Sequence, residues 1–193
     1  MNKKLKRQEL KRLVEQSILR DEEKKRIGWS ATTSVKEVLH SLNSTLNGLD
    51  DVQIRRSRMI YGENQPVADK NKKMIPFILE FLNQPTCNVI RKNMNEIRIP
   101  RKELVVGDIL HLSEGEVVPA DLRIIASYGL TVDETSFEKG RTSTIKNAER
   151  CLCELEKVTD YPNIVLRGSS VIKGSADAVV LSVGNHTIWE TMR

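Results

Sequence analysis

Glu138, Lys139, Gly140, Arg141 and Thr142 place a carboxylate, two cations, a glycine and a hydroxyl in consecutive positions. Such a cationic loop attracts phosphate electrostatically, and its glycine lets backbone come close to a bound group. Asp108 beside Gly107 and Asp121 near Pro119 fall at expected strand ends, where a carboxylate accepts backbone hydrogen bonds and shapes a turn. His40, His111 and His186 are far apart and lack metal-ligand spacing. Cys151 and Cys153 form a C-x-C pair too close for a relaxed disulfide, with no further ligand nearby, so they and Cys87 read as reduced structural thiols. Trp29 and Trp189 read as core or docking contacts. There is no defensible Ser-His-Asp set, no phosphate-binding P-loop and no dinucleotide fingerprint. Neither a cofactor nor a metal site is expected in the chain.

The elements that would position these groups change character along the sequence. Leu10, Val14 and Ile18, with Leu13 beside them, give one apolar stripe on a charged helix from Lys4 to Arg20. Ser34 followed by Glu37 is a capping-box signature for a second helix reaching about Leu42. A third helix starts near Asp50 and Asp51 and stops at Tyr61-Gly62. Residues 66–73 read as a polar linker, and Met74 to Leu82 as a short apolar segment. From Thr86 onward, short Val/Ile runs alternate with turn residues, the pattern of a β body. Val89-Ile90 and Ile97-Ile99 flank a hairpin. Further strands are expected at Leu104 to Leu112, Leu122 to Ile125, Ile164 to Leu166, Ser170 to Ile172 and Ala176 to Val183.

Charge and composition narrow the function classes. The 193 residues carry a net charge of +5, with 39% hydrophobic and 30% charged residues, the balance of a globular chain. Residues 1–30 hold ten Lys/Arg against five Asp/Glu, while the remainder holds 21 of each sign. The excess basicity therefore belongs to the N-terminal arm, for which an anionic membrane surface is a partner to consider. Specific nucleic-acid binding is not expected, because Trp29 is the arm's one aromatic residue. Met74 to Leu82 is less than half of the roughly 20 apolar residues that cross a bilayer. The basic start lacks a signal-peptide core. The expected location is cytoplasmic, with peripheral membrane contact through the arm.

Several motifs in order then carry a resemblance. Gly48-Leu49 through Tyr61-Gly62-Glu63-Asn64 is similar to the N-terminal segment of cation transporters. Val105-Val106-Gly107-Asp108-Ile109, Glu114-Gly115-Glu116, Val118-Pro119-Ala120-Asp121-Leu122-Arg123 and Val132-Asp133-Glu134-Thr135-Ser136 resemble the actuator core of P-type cation-transporting ATPases. Arg167-Gly168 through Gly174-Ser175-Ala176, and then Val183-Gly184-Asn185-His186-Thr187, resemble its later strands. Asn185 to Trp189 looks nearest to bacterial magnesium-transporting members, with calcium-type pumps second. The resemblance covers about residues 45–192.

The resemblance implies a mainly β fold with N-terminal α-helices and a distorted jelly-roll or β-sandwich core. The organisation expected is a basic helical arm at 1–30, a helical transporter-like segment at 31–85 and an actuator-like core at 86–193, with 31–193 folding as one unit. Family members place two membrane helices between the last two parts; here they adjoin near Pro85. ATP and Mg2+ serve the parent family, whose site is the cell membrane. The implied partners are a phosphorylation domain and membrane helices supplied in trans.

In the family, a Thr-Gly-Glu-Ser loop presents the Glu that activates the water attacking an aspartyl phosphate. An ungapped register sets Glu138-Lys139-Gly140-Arg141 against it, and one inserted residue sets Lys139-Gly140-Arg141-Thr142 against it. Gly140 or Arg141 then stands at the Glu position, and a guanidinium cannot act as a base. Glu138 could substitute only with a different backbone path. The chain also lacks the phosphorylated Asp-Lys-Thr-Gly-Thr and a nucleotide domain. By itself it is expected to be catalytically silent, an actuator-like module or a standalone module docking on a pump or anionic membrane.

Overall fold

The computed structural model describes residues 3–65, 85–91, 95–138 and 143–192. The linker at 66–73, the apolar segment at 74–82, the hairpin turn at 92–94 and the loop positions Lys139 to Thr142 lie outside the described residues.

Three helices open the chain: α1 (Lys3–Thr32), α2 (Val35–Ser41) and α3 (Asp51–Tyr61). The helix expected to reach Arg20 runs on through Gly28 to Thr32. A helical glycine costs about 1 kcal/mol relative to alanine, but a Cβ at Gly28 would stand 3.1 Å from the Tyr161 hydroxyl. Burial of Ile27 and Ala31 beside it offsets that cost. Ser34 and Glu37 form the capping box that their spacing predicts. Asp50 accepts from the Val52 and Gln53 amides at 2.8 Å each, while its own amide donates to the Gln53 side-chain oxygen; Gly62, at φ 79°, ends α3.

The β body comprises β1 (Thr86–Arg91), β2 (Asn95–Pro100), β3 (Ile109–Leu112), β4 (Asp121–Asp133), β5 (Thr144–Ile145), β6 (Ile164–Val165) and β7 (Ser170–Ser182). Among the described residues these strands pair antiparallel in the order β2-β1-β3-β7-β4-β5, with β6 also on β4. A short helix, α4 (Ile188–Thr191), follows. Strand β3 is shorter than the run from Leu104 to Leu112 suggested, because Val106 and Gly107 form a turn. The two runs read around Gly174 are one continuous strand, β7. Register shifts along the β4–β7 pair bend the sheet, which supplies the distortion of a sandwich-like core.

Alternation across β7 divides the interior in two. Ala178 and Val180 join one cluster with Leu110, Leu122 and Ile124 on one face of the sheet. Val179 and Leu181 face the other way and pack with Ile27, Val38 and Ile188 from the helices. Each fully buried Val, Leu or Ile side chain contributes about 1.5–3 kcal/mol relative to exposure. The N-terminal segment is fastened to the β body by close backbone approach: Leu49 bridges Arg91, and a Cβ at Gly48 (φ 82°) would lie 2.1 Å from the Ile90 carbonyl oxygen. Only glycine fits both that conformation and that gap.

Candidate functional site

The candidate loop leaves the end of β4 and returns through β5, and both of its flanks are held. Asp133 accepts the Thr135 amide at 2.8 Å, which turns the chain out of the strand and draws the Asp133 carboxyl below its ordinary range. Glu134 then points inward, and its carboxylate meets the Lys146 ammonium at 2.9 Å with both side chains fully buried. Lys146 also donates to the carbonyls of Thr159 and Tyr161 at 3.1 Å each, and its amide donates to the Leu130 carbonyl. On the outgoing side, the Phe137 amide donates to the Glu134 carbonyl, and the Phe137 ring packs edge-on against Trp189 with centroids 5.5 Å apart.

Of the five loop residues singled out in the sequence, the structure places Glu138; Lys139, Gly140, Arg141 and Thr142 lie outside the described residues. Glu138 forms an ion pair with Lys157 at 2.7 Å on an exposed stretch, its side chain 40% accessible. That pair holds the carboxylate on the loop's flank, toward the 157–160 turn.

The other candidates are spread through the scaffold. Asp108 takes a bidentate bond from Arg91 at 2.6 and 2.8 Å and accepts the Val105 amide, so it closes the turn before β3. Asp121 is fully buried and accepts the amides of Arg167 and Ile188 at 2.9 and 2.7 Å. Burial pushes its carboxyl up to about 7 against the pull of those two donors. Both aspartates serve as backbone acceptors at strand ends, the role their neighbours Gly107 and Pro119 suggested. His111 meets Asp177 at 2.7 Å and His186 meets Glu23 at 3.1 Å, while His40 is exposed. All three cysteines are free; burial raises the Cys87 thiol to about 12 and also raises that of Cys151.

Two fully buried cations escaped the reading of the sequence as site-forming groups. Arg123 is fully buried and donates to the Ser30, Ala148 and Ile124 carbonyls, tying α1 and the return segment after β5 to β4; burial lowers it to about 10. Lys146 is the other. Its one sequence signal is its distance from Glu134, twelve positions that make a closed loop when both ends are pinned.

Comparison with known proteins adds to this geometry. A family model described as the P-type ATPase actuator domain matches residues 81–192, and one described as cation transporter/ATPase, N-terminus, matches residues 30–90. A cation-transporting ATPase, pma1, of Synechocystis sp. is 36% identical over 101 residues, 52% of this chain and 11% of that protein. Calcium-transporting ATPase 1 of Schizosaccharomyces pombe is 35% identical over 101 residues, again 52% of this chain and 11% of that protein. The sodium/potassium-transporting ATPase subunit alpha-4 of Rattus norvegicus is 30% identical over 105 residues, 54% of this chain and 10% of that protein. The matched region thus spans about a tenth of each of these relatives. Among the described residues, no helix is long and apolar enough to cross a membrane.

Proposed function

We propose, from the premise that this chain belongs to the P-type ATPase actuator-domain family, that it acts as the coupling module of a cation-transporting pump. One observation carries the reading. The side chain of Asn64, from the transporter-like N-terminal segment, donates to the Arg101 and Pro119 carbonyls and accepts the Gly184 amide. Three distant parts of the actuator are thereby locked to that segment. A coupling element must move as one body, and a buried polar clasp joining segment and sheet supports this.

In an intact pump such a body turns against a phosphorylation domain and membrane helices, with ATP and Mg2+ acting on those other parts. The transported cation is taken as magnesium or calcium. Magnesium rests on the likeness of Asn185 to Trp189, and calcium on the name of the S. pombe relative. The chain would work at the cytoplasmic side of the cell membrane.

The module is further proposed to be silent in dephosphorylation. In either register Gly140 or Arg141 occupies the position of the catalytic Glu, and Glu138 is engaged by Lys157. The test adds this chain to a P-type pump whose actuator has been deleted and follows decay of the phosphoenzyme. The expected result is association without acceleration over buffer. Acceleration that disappears in Glu138→Gln would overturn the silence, and failure to associate would overturn the coupling role.

A further inference from the structure

We propose that the first half of α1 docks on an anionic lipid surface, a role independent of the pump reading. Leu10, Leu13, Val14 and Ile18 are 63, 58, 51 and 55% exposed, although their spacing puts them on one face of a continuous helix. Further along, Glu23, Ile27, Ser30 and Ala31 are buried against the β body. At 100° per residue, the centres of the exposed stripe and of the buried face lie roughly 130° apart around the helix axis, with Leu13 at the stripe's edge in line with Ala31. Leu10, Val14 and Ile18 therefore look away from the body, and a flat surface can meet them without collision.

A helical segment with no tertiary packing is marginal in water, because helices in proteins owe most of their stability to a covered apolar face. Something should cover this one. Charge selects the occupant: the ten Lys/Arg and five Asp/Glu of residues 1–30 contrast with a neutral remainder. Lys11, Lys24 and Lys25 are exposed along the same helix. An apolar stripe with a basic surround fits the boundary between lipid headgroups and acyl chains, where the stripe enters the acyl region and the ammonium groups meet phosphates. A second copy of the chain would bring two like-charged arms together, which the same charge opposes. Asp21 follows the stripe on its own face and marks where contact ends.

The test is flotation of the full chain with phosphatidylcholine vesicles, with and without phosphatidylglycerol, at low salt and at about 1 M salt, where screening falls to near 3 Å. Expected is flotation with phosphatidylglycerol at low salt that is lost in high salt or on neutral vesicles. Leu13→Asp combined with Ile18→Asp should lower partitioning by at least about tenfold, since two apolar contacts are replaced by two anions. Circular dichroism melts of wild type and double variant should agree, because neither residue touches the core. Absence of flotation at low salt would overturn the proposal. So would flotation insensitive to the double variant, or a concentration-dependent dimer abolished by it. None of these outcomes bears on the phosphoenzyme experiment.

Discussion

Lys146→Met isolates the pin that closes the candidate loop. The Lys146 ammonium and Glu134 carboxylate are 2.9 Å apart and fully buried. At an effective dielectric of 20, two charges at that distance attract by about 6 kcal/mol, and desolvation of both ions returns most of it. The net value of the pair is therefore small, but removing one partner is not the reverse of forming it. Methionine fills similar volume without charge, so Glu134 stays buried without the ammonium, and the Thr159 and Tyr161 carbonyls lose a donor. A loss of about 3–5 kcal/mol is expected. For a domain stable by roughly 5–15 kcal/mol, this lowers the urea midpoint by about 2 M. Glu134→Leu combined with Lys146→Met should recover more than half of the loss, because no charge is then stranded. Chemical denaturation of the two single variants and the double variant closes the cycle. A cost below about 1 kcal/mol for Lys146→Met, or strict additivity in the double variant, would refute the reasoning.

Two further outcomes follow from the same geometry. Burial raises the Asp121 carboxyl from an ordinary 3.8 to about 7, so between those values the folded chain keeps a proton that the unfolded chain releases. Stability linked to this group is therefore fullest at the acid end and falls as pH rises through the window, by on the order of 4 kcal/mol. Glu23 and Arg26 face it with opposite effects, and Asp121→Asn should flatten the slope. Parallel pH–stability profiles for wild type and variant would exclude this. Gly48→Ala would force a Cβ to within 2.1 Å of the Ile90 carbonyl oxygen at φ 82°, so the Leu49–Arg91 bridge should open. Amide exchange at β1 should rise together with a loss of about 1–3 kcal/mol. Unchanged exchange would show that the approach is not needed.

The parts of the fold written in local chemistry were legible. Helices α2 and α3 begin at Ser34 and Asp50 because those side chains cap the next turn, information that lies within four residues. The second half of α1 was not legible, since Gly28 weakens it locally and tertiary contacts sustain it: Ile27 and Ala31 in the core beside β7, Tyr161 against Gly28, and Arg123 on the Ser30 carbonyl. Lys173-Gly174-Ser175 reads as a turn, yet it continues β7: Gly174 lies against Gly129 of β4, where a Cβ would come within 2.4 Å of the Gly129 carbonyl oxygen. A glycine at a close strand approach and a glycine in a turn look alike in sequence. Strand β5 was missed because Thr144 and Ile145 form a two-residue pairing with no alternation to detect. At the candidate site, Glu134 and Asp121 were visible through motif, whereas Lys146 was not. A lysine in a polar stretch reads as solvated unless its distant partner is known.

This division has a physical consequence for the loop. Among the described residues, the groups that hold the scaffold around it include Glu134 and Lys146 at its ends, Asp121 at the strand that precedes it, and Asp108 with Arg91 further away. All of them lie outside residues 138–142. Glu138, the loop residue that the structure places, contributes an exposed ion pair with Lys157, an interaction class worth only about 0–1 kcal/mol. A change at Glu138 therefore costs the sheet little, while changes at Glu134 or Lys146 cost several times more. A family scaffold can thus retain Asp133-Glu134 and Asp121-Leu122-Arg123 while its loop reads Glu-Lys-Gly-Arg-Thr. The hold on the sheet is read by denaturation of variants at Glu134 and Lys146, and the proposed silence of the loop by phosphoenzyme decay, so neither measurement stands in for the other.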